Sequence, residues 1–595
     1  MIILYKNIGE TNGFNKNMNV SDYIIKYLAT SNIKHVFLVS GGGCMHLIDS
    51  VGKSNEIEFV CNHHEQACAM AAEGYARQSG GVGACIVTTG PGSTNAITGL
   101  MGCWTDSIPT IFISGQVALH QTKAATGLNV RQIGDQEVDI VSIVKPITKY
   151  AVMIKNAKDI RVHLERAFYE ATTGRPGPVW LDIPMNIQNT EIDEKELTPP
   201  VHRAYQAPAP TEEQTKKIHR KLLTAKKPLL IVGNGVRLSG AQNLMNLFLA
   251  HTNIPVLTGI NGNDLINESY EHYCGRFGIL GQPAGNHILQ ESDLIISVGS
   301  RLSVRQTGYA HKDFGRDAYK IYVDIDPEEL KKDTLHPDMP VCSDAKEFFK
   351  AMTTATISDI SEWQKICKEK ISMQKMVMKK HIQNKKYVSN YVLIDRLSDL
   401  NDGSMPIITS DGSANVVTMQ AMRLKGTQRM FTNTGCASMG YGLPAAIGAC
   451  FANNKKPVIC IEGDGSLQMN IQELQTMVHH ELPIKLIVLN NNGYLSIKMT
   501  QKSYLGGRIT ATNPDSGVSF PNLEKIAAAY GLKYFKISTN KNIDTILNKM
   551  LKYDGPLMCE VMSDPDEFHE PKVVGRPQPD GSIIPGRLDD MELCS

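Results

Sequence analysis

Short apolar runs alternate with longer helix-patterned stretches through almost the whole chain, and that alternation leaves few folds open. Strand-like and helical segments that take turns pack as parallel sheets covered by helices on both faces. HVFLVS, EFVCN, GACIVTT, TIFIS and PVWLDI mark a first block. Polar, proline-rich text, NTEIDEKELTPPVHRAYQAPAPTEEQ, then reads as a linker. PLLIVGNG, PVLTGI, LIISVGS and IYVDIDP mark a second block. A lysine-rich helical stretch, EWQKICKEKISMQKMVMKKHIQNKK, leads into a third block with PIITSDG, PVICIEGDG, IKLIVLNNN and PLMCEVM. The expectation is an α/β protein of three doubly wound parallel-sheet domains at 18–190, 215–350 and 386–570, followed by an extended tail over 571–595.

Composition removes several function classes. Of 595 residues, 42% are apolar and 20% charged, enough for a large core. Lys plus Arg number 61 against 60 Asp plus Glu, so no net field draws the chain to nucleic acid or to an anionic membrane. No apolar stretch approaches the roughly 20 residues that span a bilayer. The opening MIILYKNIGETNGFNKN turns polar too soon for a signal-peptide core. Thirteen cysteines, without any Cys-x-x-Cys pair, suit buried thiols in a reducing cytoplasm. The adjacent pairs His63-His64 and His479-His480 are not expected to bind metal, because sequence neighbours point apart.

The chemistry concentrates in VICIEGDGSLQMNIQELQTMVHHELPIKLIVLNNNGY. One apolar run ends in Gly463-Asp464-Gly465-Ser466 and the next in Asn490-Asn491. Between them Leu467, Ile471, Leu474 and Val478 predict a one-faced helix of about 15 residues, the length of a βαβ crossover. A right-handed crossover returns the chain to a neighbouring parallel strand about 4.8 Å away. Asp464 and Asn491 then share the carboxyl edge of one sheet, where open α/β sheets bind ligands. A carboxylate with an amide oxygen is hard ligation that suits Mg²⁺ or Ca²⁺, and Mg²⁺ completes so small a set with phosphate oxygens and water. Gly463 and Gly465 leave backbone amides open to a phosphate at a helix amino end. The reading is a Mg²⁺–diphosphate site. ACIVTTGPGSTNAITGL in the first block echoes VICIEGDGSLQMNIQEL in the third, but only the third carries an acid.

Gly-Asp-Gly, 24 residues and Asn-Asn resemble the thiamine-diphosphate motif. HHEQACAMAAEGYARQSG, TTGPGSTNAITGL, SIPTIFISGQV and TGCASMGYGLPAAIG resemble, in order and spacing, the acetolactate synthase family. The resemblance implies Mg²⁺ on Asp464, Asn491 and the main-chain oxygen of Gly493, with Ser466 beside the diphosphate. It implies Glu65 as the acid against the aminopyrimidine, poorly solvated and with a raised pKa. Pro91 and Asn95 would be pyrimidine-side contacts, Gln116 a catalytic residue, and Met439 the apolar wedge beneath the cofactor. Sites shared between two subunits, hence a homodimer or homotetramer, also follow. In the middle block GRPGPVWLDIP (Arg175), CGRFGILG, VGSRLSVRQTG (Arg301, Arg305), VDIDPEE (Asp326) and SDA (Asp344) match where flavin-containing relatives bind FAD.

The resemblance departs on the acceptor side. The family's Gly-Thr-Asp-Ala-Phe-Gln-Glu loop reads Arg131-Gln-Ile-Gly-Asp-Gln-Glu137 here, with Asp135 for the phenylalanine. TSDGSANV offers Ser413, Ala414 and Asn415 where the family has a Gln-His diphosphate contact, and LSIKMTQ lacks the family's tryptophan. The expected activity is decarboxylation of a 2-oxo acid, pyruvate first, with transfer of the acyl unit to a carbonyl acceptor. That acceptor is a second 2-oxo acid or, as in the synthase-like proteins of surface-polysaccharide pathways that the variant motifs resemble, a keto-sugar nucleotide. A flavin-dependent pyruvate oxidase and a non-catalytic interaction protein are the other classes.

Overall fold

A computed structural model describes residues 18–200 and 204–591. The apolar-then-polar opening, three linker residues and the last four of the tail lie outside the described residues. Three six-stranded sheets, every strand pair parallel, account for the three blocks. The first contains β1 (His35–Leu38), β2 (Glu58–Cys61), β3 (Gly83–Val87), β4 (Thr110–Gln116), β5 (Tyr150–Met153) and β6 (Pro178–Pro184), in the order β2-β1-β3-β4-β6-β5. The second contains β7 (Pro228–Val232), β8 (Val256–Thr258), β9 (Tyr273–Arg276), β10 (Leu294–Val298), β11 (Tyr319–Asp324) and β12 (Met339–Cys342), in the order β9-β8-β7-β10-β11-β12. The third contains β13 (Ile407–Thr409), β14 (Met430–Phe431), β15 (Val458–Gly463), β16 (Ile484–Asn490), β17 (Lys533–Ile537) and β18 (Leu557–Met562), in the order β14-β13-β15-β16-β18-β17.

The first and third sheets therefore share one strand order, and the echoed segments follow the third strand of each. The middle sheet has the dinucleotide-fold order, with its switch point between β7 and β10. Its central strands are buried on both faces. Leu230 and Val232 face one apolar cluster while Leu229 and Ile231 face another.

Two compact units divide the chain by contact. One takes residues up to 205 with 444–456 and 472–480, and the other takes the remainder. In the first, the helix Glu65–Ser79 meets residues 445–448 without side chains between them. A Cβ on Gly74 would lie 2.2 Å from Ala445 O, and one on Gly448 would lie 1.9 Å from Ala71 O.

Two expectations change. The single helix after Asp464 is broken into Asp464–Leu467, a 3₁₀ turn Gln468–Asn470, and Glu473–His479. Ile471 and Val478 are only half-buried, whereas Asn470 and Glu473 are fully buried. Polar demand at those two positions turns the buried face away from the periodic one. The tail is not simply extended. Leu588 and Met591 are buried, His287 Nε2 lies 2.8 Å from Met591 O, and Arg316 pairs with Asp589.

In the second unit Asp264 links the middle and third sheets, paired with Arg237 at 2.8 Å and Arg429 at 2.6 Å and accepting from Met430 N. Burial alone would raise its carboxyl, but the two guanidinium groups outweigh burial and hold it below the usual carboxylate range. A group depressed in this way stabilises above the unfolded pKa, and that contribution disappears as pH falls through the folded pKa. Asp264→Asn is expected to cost about 3 kcal/mol at neutral pH, seen as a lower urea midpoint. The gap to wild type should narrow as pH drops below about 4.

Candidate active site

Strands β15 and β16 run side by side with Gly463 opposite Leu489, so Asp464 and Asn491 leave neighbouring strands at the same edge. Asp464 is 4% and Asn491 8% exposed. Asp464 Oδ1 accepts from Gly465 N at 2.8 Å, but Asp464 Oδ2 and Asn491 Oδ1 have no hydrogen-bond partner. Burial pushes the Asp464 carboxyl up to about 7, against the pull of the N–H groups of Gly465, Asn492 and Gly493. Two dry, unpartnered oxygens on adjacent strand ends are a donor set that a hard cation satisfies. This fits Mg²⁺. The neighbouring amide is engaged elsewhere. Asn490 Nδ2 donates to Glu560 at 2.6 Å and its Oδ1 accepts from Asn492 N, which shapes the loop. Gly493 sits where a Cβ would meet Thr512 O at 2.4 Å.

The residues expected on the diphosphate side are placed as follows in the third sheet. The helix Ser413–Ala421 opens at the end of β13, next to β15, so the N–H groups of Ser413, Ala414 and Asn415 are free first-turn donors at the switch point of the sheet. Their side chains are otherwise engaged or buried. Ser413 Oγ lies 2.9 Å from His569 Nε2, Ala414 belongs to the apolar core, and Asn415 is 1% exposed. Gly463 keeps its face open, its hypothetical Cβ 3.8 Å from the nearest atom, whereas the ring of Tyr494 fills the space at Gly465. Ser466 Oγ accepts from Gly440 N at 2.8 Å and is 2.6 Å from Ser410 Oγ. Met439 is half-buried on a turn rather than packed in the core.

In the first unit, Glu65 opens its helix, with His64 Nδ1 capping Gln66 N. Asn95 Nδ2 donates to Glu65 Oε2 at 2.9 Å, and a Cβ on Gly92 would sit 3.4 Å from Glu65 Oε1. The structure thus brings Glu65, Asn95 and the Pro91–Gly92 turn together. Gln116 is wholly buried. Its Oε1 accepts from Thr89 Oγ1 at 2.7 Å, and its Nε2 donates to Val138 O at 2.9 Å and Asp182 Oδ2 at 3.1 Å. Each atom of its amide therefore holds neighbouring chain. Sequence reading missed Glu473, which accepts from Asn62 Nδ2 at 2.8 Å and His63 N at 2.9 Å, fixing the loop before Glu65. No periodic signal marks it, since it stands off the face of Leu467, Ile471, Leu474 and Val478.

Around the middle sheet, Arg301 and Arg305 follow β10, Asp326 follows β11 and Asp344 follows β12, all at the carboxyl edge. Asp344 caps the helix Ala345–Ala351, and Asp326 accepts from Glu328 N at 3.0 Å. Arg175 lies in the first unit, its Nε donating to Ser107 Oγ at 2.9 Å.

Comparison with known proteins meets this arrangement at each sheet. Residues 18–143 match the thiamine pyrophosphate enzyme N-terminal TPP binding domain, 215–352 the central domain, and 411–561 the C-terminal TPP binding domain. The acetolactate synthase large subunit of Lactococcus lactis is 32% identical over 560 residues, covering 93% of this chain and 94% of that one. Isozyme 2 of the Escherichia coli large subunit is 31% identical, covering 92% and 96%. Among the described residues no helix is long and apolar enough to cross a membrane. With both thiamine-pyrophosphate domains matched around the strand ends that hold Asp464, Asn491 and Glu65, and with near full-length relatives above 30% identity, the chain belongs to the acetolactate synthase large-subunit family of thiamine pyrophosphate enzymes.

Proposed function

We propose that the protein decarboxylates a 2-oxo acid, pyruvate first, and joins the remaining acyl unit to a carbonyl acceptor. The observation that carries the metal half of this reading is the pair of buried, unpartnered oxygens Asp464 Oδ2 and Asn491 Oδ1. Those groups, with the Gly493 carbonyl, would hold Mg²⁺, and the first-turn N–H groups at 413–415 would meet the diphosphate. Bound thiamine diphosphate supplies the electron sink that lets the carboxylate leave as CO₂. Glu65 would stand as the acid against the aminopyrimidine, and Asn95 fixes the direction of its carboxylate. Carboligation then forms a bond from the former carbonyl carbon to the acceptor carbon, and the acceptor oxygen takes up the proton. FAD at the carboxyl edge of the middle sheet, between Arg301, Arg305, Asp326 and Asp344, fits as a structural group. A homodimer or homotetramer in the cytoplasm goes with the reading. The twelve described cysteines form no disulfide.

A second acceptor class rests on the loop after Gln116. Glu137 staples it, accepting from Lys123 N at 2.5 Å and Ile133 N at 2.8 Å. The returning chain docks on the Thr89–Gly90 turn, with Gln136 O 3.4 Å from Thr89 Oγ1. Asp135, exposed beside that contact, carries a negative charge that disfavours a second anionic 2-oxo acid. A neutral, hydroxyl-rich carbonyl such as a keto-sugar meets no such penalty.

With thiamine diphosphate, Mg²⁺ and pyruvate, the purified protein should release CO₂ while any bound flavin stays oxidised, and Glu65→Gln should slow release by about 100-fold. Absence of CO₂ from every short 2-oxo acid would overturn the activity, and anaerobic bleaching of flavin would make it an oxidase. Asp464→Ala and Asn491→Ala should each weaken Mg²⁺-dependent cofactor binding by about 10- to 100-fold in a fluorescence titration. Mass spectrometry of products should show little acetolactate from pyruvate alone, and Asp135→Phe should raise it about tenfold. Rapid acetolactate formation by the unaltered protein would rule out the sugar acceptor.

A further inference from the structure

The turn that carries Met439 is gripped by Ser466 and by two side chains without a role so far, Asn470 and Glu462. Gly440 has φ of +80°, and a Cβ there would lie 2.9 Å from both Asn470 Nδ2 and Met469 Cβ. Its N–H donates to Ser466 Oγ at 2.8 Å, and its carbonyl accepts from Asn470 Nδ2 at 2.7 Å. Both peptide groups flanking one Cα are thereby fixed. Three residues on, Leu443 N donates to Glu462 Oε2 at 3.2 Å. Gly442 has no side chain because that oxygen lies 2.3 Å from where its Cβ would be. Glu462, Ser466 and Asn470 are 0%, 4% and 1% exposed. At the other end of the loop, Asn433 Oδ1 accepts from Cys436 N at 3.2 Å and Ala437 N at 3.3 Å.

Met439 itself is not clamped by the core. The height of its side chain is therefore set by its backbone, and the backbone is set by these hydrogen bonds. We propose that Asn470, together with Ser466 and Glu462, is the positioning element that fixes the Met439 turn against the bound cofactor. The proposal rests on the reading of Met439 as the wedge under thiamine diphosphate. Asn470 and Glu462 touch neither substrate nor cofactor in this scheme; they act through Met439. A wedge displaced by a fraction of an ångström still permits the diphosphate to bind, because that contact is made elsewhere. It no longer holds the two rings in the reactive arrangement.

The test uses the full-length protein loaded with Mg²⁺ and thiamine diphosphate. Asn470→Ala removes the donor to Gly440, and Asn470→Asp replaces it with a repelling acceptor. Three quantities are measured: the cofactor Kd by fluorescence, the hydrogen–deuterium exchange rate at the thiazolium C2 position by acid-quench NMR, and kcat with pyruvate. In both variants exchange and kcat should fall together by about 30-fold, with Kd unchanged within about threefold. Wild-type exchange at saturating cofactor would overturn the proposal, as would a loss confined to Kd. Ser466→Ala, which removes only the acceptor for Gly440 N–H, should lower exchange in the same direction and serves if the Asn470 variants do not fold. Met439→Ala separates the two levels. If it exchanges normally, the wedge reading fails. If it is slow while the Asn470 and Ser466 variants are normal, only the positioning role fails.

Discussion

A buried carboxylate at one strand end and a buried amide at the next, each with an oxygen that has no hydrogen-bond partner, are the constraint around which the third sheet is arranged. In dry protein such a pair is costly, and removing water from an unpaired charge costs several kcal/mol. The chain tolerates it by surrounding Asp464 with backbone N–H groups and by committing other side chains to the frame. Asn490 turns to Glu560, Tyr494 lies over Gly465, and Gly493 lets the loop press on Thr512. None of these groups removes the electrostatic demand. They hold it in place at the edge of the sheet.

Two sheets of identical strand order divide the chemistry. In the first, the turn after the third strand contains Pro91 and Gly92, and the nearby acid comes from another element, at Glu65. In the third, the equivalent turn contains the acid itself. One strand order thus presents an acid within the turn in one sheet and beside the turn in the other. The difference lies in a few residues at strand ends, which is where function sits in α/β folds.

Interior strands could be read from their apolar runs because they are covered on both faces. Tyr150–Met153, Tyr273–Arg276, Met339–Cys342, Met430–Phe431 and Lys533–Ile537 could not, and all five are edge strands. An edge strand has a single hydrogen-bonded neighbour, and its composition is freer: Lys533–Ile537 buries only its last residue. At the site, Asp464, Asn491 and Glu65 were legible because their chemistry is tied to strand ends and helix starts. Asn470, Glu462 and Glu473 were not. Their partners lie across turns that no periodicity encodes, and Asn470 and Glu473 broke the helix that periodicity predicted. For Gln116, what no periodicity encodes is the set of partners that its buried amide holds, Thr89, Val138 and Asp182.

The contact of Gly74 and Gly448 with opposing backbone has no side chain that could be lengthened or shortened. Drift in the sequence can therefore neither widen that crossing by a methyl group nor close it further, and the helix that starts at Glu65 is left without an adjustable spacer. Changes of chain length are admitted elsewhere. The segment from 117 to 138, tied at both ends yet exposed through much of its middle, is a place where insertions cost little. The crossing fixes one length in this chain, and the loop leaves another open.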